Sequence, residues 1–228
     1  MTERAIVTGA GRGIGRGIAR VFAQAGGRVG VLSRTESELV SLVDEIVAEG
    51  GQAVYRVCDL RSWDETERAI SELIGELDGL DALVNNAGRV LRGDITEIEV
   101  EEWTDLFATN VHGLFYATRA ALPTLRTQQS GHIFNVSSIS GRLPLAGGSA
   151  YAASKYAVTG FSESLFHEVR NDGIKVTTVF PGSVAPSTGA DDWKVTPEEV
   201  GEACLSALRT APHNCVSRIE IRPLQPPR

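Results

Sequence analysis

Cysteine is scarce in this chain. Cys58, Cys204 and Cys215 are the three among 228 residues, and no two of them form a C-x-x-C pair. Such a set offers neither a disulfide framework nor a thiolate metal site, so a reducing compartment is expected. His112, His132, His167 and His213 lack the spacing of zinc ligands, and no metal is expected. No apolar run approaches membrane-spanning length. Met1 leads through Glu3 and Arg4 straight into Ala5-Ile6-Val7, which leaves no room for a signal peptide. A cytoplasmic location without a membrane partner follows as the expectation. Basic residues are outnumbered too, 22 Lys and Arg against 29 Asp and Glu, for a net charge of -7. A surface that acidic repels phosphate backbones and argues against nucleic acid as a partner. A pocket for a nucleotide would have to bring its own basic groups.

What is present reads as one globular α/β domain over residues 1–228. Hydrophobic residues make up 42% and charged residues 22%, enough to bury a sizeable core. Short β-branched runs alternate with amphipathic stretches. Strands are predicted at Arg4–Thr8, Arg28–Ser33, Gln52–Val57, Ala82–Asn85, Gly131–Val136, Lys175–Phe180 and Val216–Arg222. Several are apolar on both faces, as strands covered by helices on both sides must be. Thr35 to Glu38, Ser62 to Glu65 and Thr196 to Glu199 each read as a capping box, the last with Pro197 at the first helical position. Gly26-Gly27 and Gly50-Gly51 supply helix stops. Strand–helix alternation implies right-handed crossovers and a doubly wound, seven-stranded, mostly parallel sheet with helices on both faces.

The first predicted strand runs into Thr8-Gly9-Ala10-Gly11-Arg12-Gly13-Ile14-Gly15, and a helical pattern follows at once. Glycines at such a turn let the backbone approach a pyrophosphate, which free N–H groups at the helix start attract. The spacing is T-G-x-x-x-G-x-G, with Arg16 where the last glycine of G-x-G-x-x-G would fall. Further along lie Asp59-Leu60, Asn85-Asn86-Ala87-Gly88, Asn110, Ser137-Ser138, Tyr151-Ala152-Ala153-Ser154-Lys155 and Pro181-Gly182. Tyr151 and Lys155, four apart, share one helix face. A free phenol with a pKa near about 10 is too weak a base at neutral pH, and a neighbouring ammonium would lower it.

In these motifs and their order the chain resembles the short-chain dehydrogenase/reductase family along nearly its whole length, with a Rossmann-type fold. The resemblance implies hydride transfer between a nicotinamide cofactor and a small carbonyl or alcohol substrate. Tyr151 would transfer the proton, Ser138, thirteen residues ahead of it, would hold the substrate oxygen, and Lys155 with Asn110 would complete the relay. From sequence alone, Ser137 competes with Ser138 for that role. The cofactor would be held by Gly9, Arg12, Gly13, Ile14, Gly15, Ser33, Arg34, Asp59, Leu60, Asn86, Ala87, Gly88, Tyr151, Lys155, Pro181 and Gly182. Asp59 has two open readings, a partner for the adenine amine or a residue that merely precedes the cap at Ser62. NADP(H) is favoured over NAD(H), because Ser33 stands where an acid would meet the ribose hydroxyls, with Arg34 and Arg12 beside it. An alternative is a redox sensor that binds NADP(H) without turnover, which would have no use for the proton relay. An epimerase or dehydratase on the same fold would need an extra substrate domain.

The expected lid, Ser183 to Val195, is short. Pro186 stands where relatives carry a threonine, with Ser187 or Thr188 as substitutes. Arg89, Arg92 and Arg142 flank the expected pocket mouth and could draw an anionic substrate, although solvated surface arginines are the commoner case. Small residues along the helix after Tyr151, including Ala152, Ala157 and Gly160, suit either a homodimer or homotetramer interface or packing against the sheet.

Overall fold

Alternation along the strands sorts the core into two layers. The computed structural model describes residues 3–187 and 192–225. Its strands are β1 (Arg4–Thr8), β2 (Arg28–Ser33), β3 (Gln52–Val57), β4 (Ala82–Asn85), β5 (Gly131–Val136), β6 (Ile174–Pro181) and β7 (Arg218–Ile221). They pair in the order β3-β2-β1-β4-β5-β6-β7, every pair parallel. The helices are α1 (Gly13–Gln24), α2 (Glu36–Ala48), α3 (Trp63–Leu77), α4 (Val100–Phe107), α5 (Gly113–Gln128), α6 (Ser149–Val169) and α7 (Pro197–Leu208). Val7, Val31 and Val84 pack with Phe22 of α1, Leu42 of α2 and Val200 of α7. Their strand neighbours Ile6, Leu32 and Leu83 point the other way, to Leu73 of α3, Ala121 of α5 and Leu165 of α6. The period of two along a strand therefore fills both faces. The strand order reverses between β1 and β4, so a crevice opens at their carboxyl ends.

Most predicted boundaries match. Strand β6 is longer than expected and β7 shorter, because β7 finds partners only from Thr178 to Pro181. Helix α1 stops at Gly26 and α2 at Gly50, both in the left-handed region. The three capping boxes differ in outcome. At Thr196 the box is complete, with Glu199 N–H donating to Thr196 Oγ1 and Thr196 N–H to Glu199 Oε2. At Ser62 it is half formed, since the Glu65 carboxylate takes the Asp59 N–H instead. At Thr35 no side-chain cap forms, and the Thr35 N–H donates to Ser33 Oγ at 3.4 Å.

Among the described residues no helix is long and apolar enough to cross a membrane. No group of three or more His, Cys, Asp or Glu among them is arranged to hold a metal ion. All three cysteines are free. Burial pushes the Cys58 thiol up to about 11 and Cys204 to about 12, so neither is a thiolate at neutral pH. On α6, Gly160 is exposed and Ala152 and Ala157 are half-buried, while Phe161 and Leu165 further along pack into the core.

His132 of β5 is buried, stacked on Phe134 at 3.9 Å between ring centroids, with Nε2 2.6 Å from Thr177 Oγ1. Among the described residues its Nδ1 has no partner. Burial, with a smaller push from the Lys175 charge, holds its pKa down at about 3. The folded value lies below the usual ~6.5, so between those limits the unfolded chain binds the extra proton. Stability from this residue is complete above about 6.5 and drains as pH falls, by about 2 kcal/mol at pH 5. Urea unfolding of wild type and His132→Phe at pH 7 and pH 5 should show the variant losing less on acidification by about that amount. Parallel losses in the two proteins would contradict the assignment.

Candidate active site

Strand β1 ends at the switch point, and its backbone turns there sharply. Gly9 has φ +63°, and a Cβ on it would lie 2.7 Å from Ala87 Cα, so only glycine lets the loop press against the segment after β4. At Gly15 a Cβ would run into Asn86 Nδ2 and Gly9 O. The first turn of α1 carries no acidic residue, which leaves its free N–H groups to an anion. From this loop a cleft of about 400 Å³ runs past Arg12, Ile14, Ser33, Asp59, Leu60 and Gly88 to Tyr151 and Lys155. These walls, a glycine turn over a helix start with cations at one end, fit a dinucleotide.

The loop and the opposite wall are strapped together by a residue that sequence reading passed over. Thr8 is buried, and its Oγ1 accepts hydrogen bonds from Asn86 N at 3.0 Å and Ala87 N at 3.1 Å. In return Asn86 Nδ2 donates to Thr8 O at 3.0 Å and Gly9 O at 3.1 Å. Asn86 therefore fixes the crevice shape through the backbone of the glycine loop.

At the far end, Ser33, Arg34 and Arg12 gather around the carboxyl end of β2. Among the described residues neither Arg12 nor Arg34 makes an ion pair. Arg16 serves otherwise: its guanidinium donates to Gly11 O, Glu38 O and Ser41 Oγ and pairs with Glu45 at 2.5 Å, tying α1 to α2. Asp59 lies in the cleft wall, and its carbonyl accepts from Ser62 N at 3.0 Å just before the cap. Its carboxylate is gripped by Arg61 Nη2 at 2.6 Å and Nε at 3.0 Å, which holds its pKa below the usual range. Glu38, absent from the expected set, also lines this end of the cleft.

At the near end α6 presents Tyr151 and, one turn on, Lys155. Lys155 is buried, and its Nζ donates to Val136 O at 2.8 Å. Burial pushes its pKa down to about 8. The Tyr151 phenol is pushed above its ordinary value by burial, against a hydrogen bond with Ser138 and the charge of Arg92. The expected lowering of Tyr151 by Lys155 is absent, because the ammonium stands 5.9 Å from the ring centroid and is turned to Val136. The two serines part company. Ser137 Oγ is buried and donates to Lys155 O at 3.0 Å, whereas Ser138 Oγ faces Tyr151 and accepts from Ser140 N at 3.1 Å. Asn110 sits in a π-helical turn, Ala108–His112, between α4 and α5. Its amide bonds both backbone groups of Arg89 and reaches Ser154 Oγ at 3.0 Å. A Cβ on Gly88 would lie 3.2 Å from Asn110 Oδ1 and 3.5 Å from Lys155 Nζ, so both groups face that backbone.

Pro181 closes β6, and Gly182 N–H donates to Ile221 O at 2.8 Å, away from the described cleft lining. The lid is pinned at its base by Ala185 N to Val195 O and Val195 N to Ser183 O. Ser187 is exposed, while Thr188 lies outside the described residues. Arg89 pairs with Asp105 at 3.6 Å, and Arg142 with Glu220 at 2.6 Å. Arg92 makes no ion pair among the described residues, and its charge reaches the Tyr151 hydroxyl.

The strap gives a direct test. Thr8→Val keeps the shape but deprives Ala87 N–H of its acceptor and leaves Asn86 N–H only Val84 O. Losing a hydrogen bond at this half-buried donor costs about 0.5–1.5 kcal/mol, which urea unfolding should register, and Thr8→Ser should restore most of it. Equal stability of Thr8→Val and wild type would rule out the strap.

A family model described as short chain dehydrogenase matches residues 3–195. An uncharacterized oxidoreductase of Staphylococcus aureus is 34% identical over 225 residues, covering 96% of each chain. A metagenomic short-chain oxidoreductase solved in complex with NADP is 32% identical, with TM-score 0.89 over 98% of both chains. Serine dehydrogenase from Escherichia coli is 33% identical, with TM-score 0.87 over 97% of this chain and 98% of that one. With the glycine loop, the N-N-A-G strap and the Tyr–Lys helix brought to one crevice, the chain belongs to the short-chain dehydrogenase family of oxidoreductases.

Proposed function

We propose that this chain is an NADP(H)-dependent oxidoreductase that interconverts a carbonyl and an alcohol on a small organic substrate. The observation that carries this reading is the single cleft that brings the glycine loop, Tyr151 and Lys155 together, with the Lys155 ammonium buried and held by Val136 O one helical turn from Tyr151. The bound nicotinamide nucleotide supplies or accepts the hydride. Tyr151 gives the proton to the substrate oxygen or takes it back, and Ser138 donates a hydrogen bond to that oxygen. Lys155, cationic below about 8, would offer its remaining N–H groups to the ribose hydroxyls of a bound nucleotide. Asn110, facing the same backbone, supports the path by which the proton is replaced. Burial holds the Tyr151 phenol above its ordinary value, so it is protonated at neutral pH and ready to donate to a carbonyl oxygen; with an alcohol substrate it must first release that proton to the relay. An idle redox sensor would have no use for the Tyr151–Ser138 pair or for a charge buried beside it.

Tyr151→Phe should bind nucleotide nearly as wild type does and lose about 10²–10⁴-fold in turnover. Ser138→Ala should also lower turnover, whereas Ser137→Ala, which removes one of two hydroxyls donating to Lys155 O, should act on stability. A carbonyl-reduction screen with aldehydes, ketones, oxo acids and 3-oxoacyl thioesters supplies the assay. Full activity of Tyr151→Phe on any accepted substrate would end the assignment.

The cofactor preference rests on Arg12 and Arg34, unpaired among the described residues beside an uncharged Ser33. Charge-assisted hydrogen bonds to a 2′-phosphate contribute about 1.5–3 kcal/mol each, so NADP(H) should bind about tenfold or more tighter than NAD(H). Arg12→Ala and Arg34→Ala should each weaken NADP(H) alone. Equal affinities in wild type, unchanged by both substitutions, would overturn the preference.

A further inference from the structure

Strand β2 lacks a terminal acid, yet the fold brings one to the same place from the next helix. Glu38, in the first turn of α2, is half-buried and lines the cleft. A Cβ on Gly11 would lie 2.5 Å from Glu38 Oε2, 2.9 Å from Glu38 Cβ and 3.2 Å from Ser33 Oγ. The glycine thus leaves the space into which the carboxylate reaches. The approach is pinned from behind, because Arg16 Nη1 donates to both Gly11 O and Glu38 O at 3.3 Å. Arg16's own charge is taken by Glu45. Glu38 makes no ion pair among the described residues, and neither do Arg12 and Arg34 in the same wall. Its failure to close the box at Thr35 has the same cause: the carboxylate points at the glycine loop rather than back at its own helix start.

We propose that Glu38 is a specificity-determining residue of the nucleotide site, a carboxylate that accepts hydrogen bonds from an unphosphorylated adenosine ribose and repels a 2′-phosphate. NADP(H) stays the preferred nucleotide, but by less than Ser33, Arg12 and Arg34 would set by themselves. This rests on the reading of the cleft as a nicotinamide-nucleotide site. Chemically, Glu38 opposes the two arginines: they attract the phosphate dianion, and it penalises that charge at short range.

Isothermal titration calorimetry of the purified chain with NADP⁺, NAD⁺, adenosine 2′,5′-bisphosphate and AMP tests the role without turnover. Glu38→Gln keeps the side-chain volume and removes the charge. It should tighten NADP⁺ and the bisphosphate by about three- to tenfold at low salt, an effect that shrinks as salt screens the charges. NAD⁺ and AMP should bind equally well or up to about threefold more weakly, since an amide is the poorer acceptor. A NADP⁺ to NAD⁺ affinity ratio in Glu38→Gln within about twofold of a binding-competent wild type would overturn the role of Glu38 alone. Wild type that binds none of the four ligands would instead overturn the reading of the cleft, and this proposal with it.

Discussion

The junction between β1 and β4 depends on Thr8. Two parallel strands whose following segments leave in opposite directions open a gap, and backbone groups there lose their ladder partners. One buried hydroxyl accepts from Asn86 and Ala87, and the Asn86 amide returns two hydrogen bonds to the loop. Gly9 is pressed against Ala87 as a result, and the start of α1 is aimed along the crevice. The glycine loop and the segment after β4 are thus held as one unit at the switch point.

At the opposite end the governing cost is a buried charge. An ammonium withdrawn from water needs donors satisfied, and Lys155 finds Val136 O as a fixed partner. Its neighbours complete the arrangement, with Ser137 after β5 bonding the Lys155 carbonyl and Ser154 of α6 bonding Asn110. The π turn that carries Asn110 lets its amide engage both backbone groups of Arg89. Burial raises Tyr151 and lowers Lys155, so their charged forms are both disfavoured. At neutral pH that leaves an uncharged phenol beside an ammonium that stays cationic below about 8.

Charge at the adenosine end is balanced rather than uniform. Arg16, an interruption of the glycine pattern in sequence terms, is a clamp between α1 and α2. Asp59 is neutralised in effect by Arg61, so its carboxylate does not oppose a phosphate freely. Glu38 carries no such partner among the described residues. A chain with net charge -7 thus keeps two arginines available in one wall and sets a single free acid against them.

By itself the sequence determined the sheet, its parallel sense and the turn chemistry. Periodicity, glycine placement and the Thr196 cap are local and are expressed wherever the chain folds. The same holds for the spacing that puts Tyr151 and Lys155 on one helix face. Tertiary structure decided which partner each polar group took. Ser137 and Ser138 are adjacent and chemically identical, and only the strand–helix contact sends one to Lys155 and the other to Tyr151. Thr35 and Glu38 spell a capping box, but Gly11 of a distant loop leaves room that draws the carboxylate away. Hydrogen-bonding groups of short range choose among neighbours that sequence distance does not reveal, and the fold alone sets which neighbour lies within 3 Å or so.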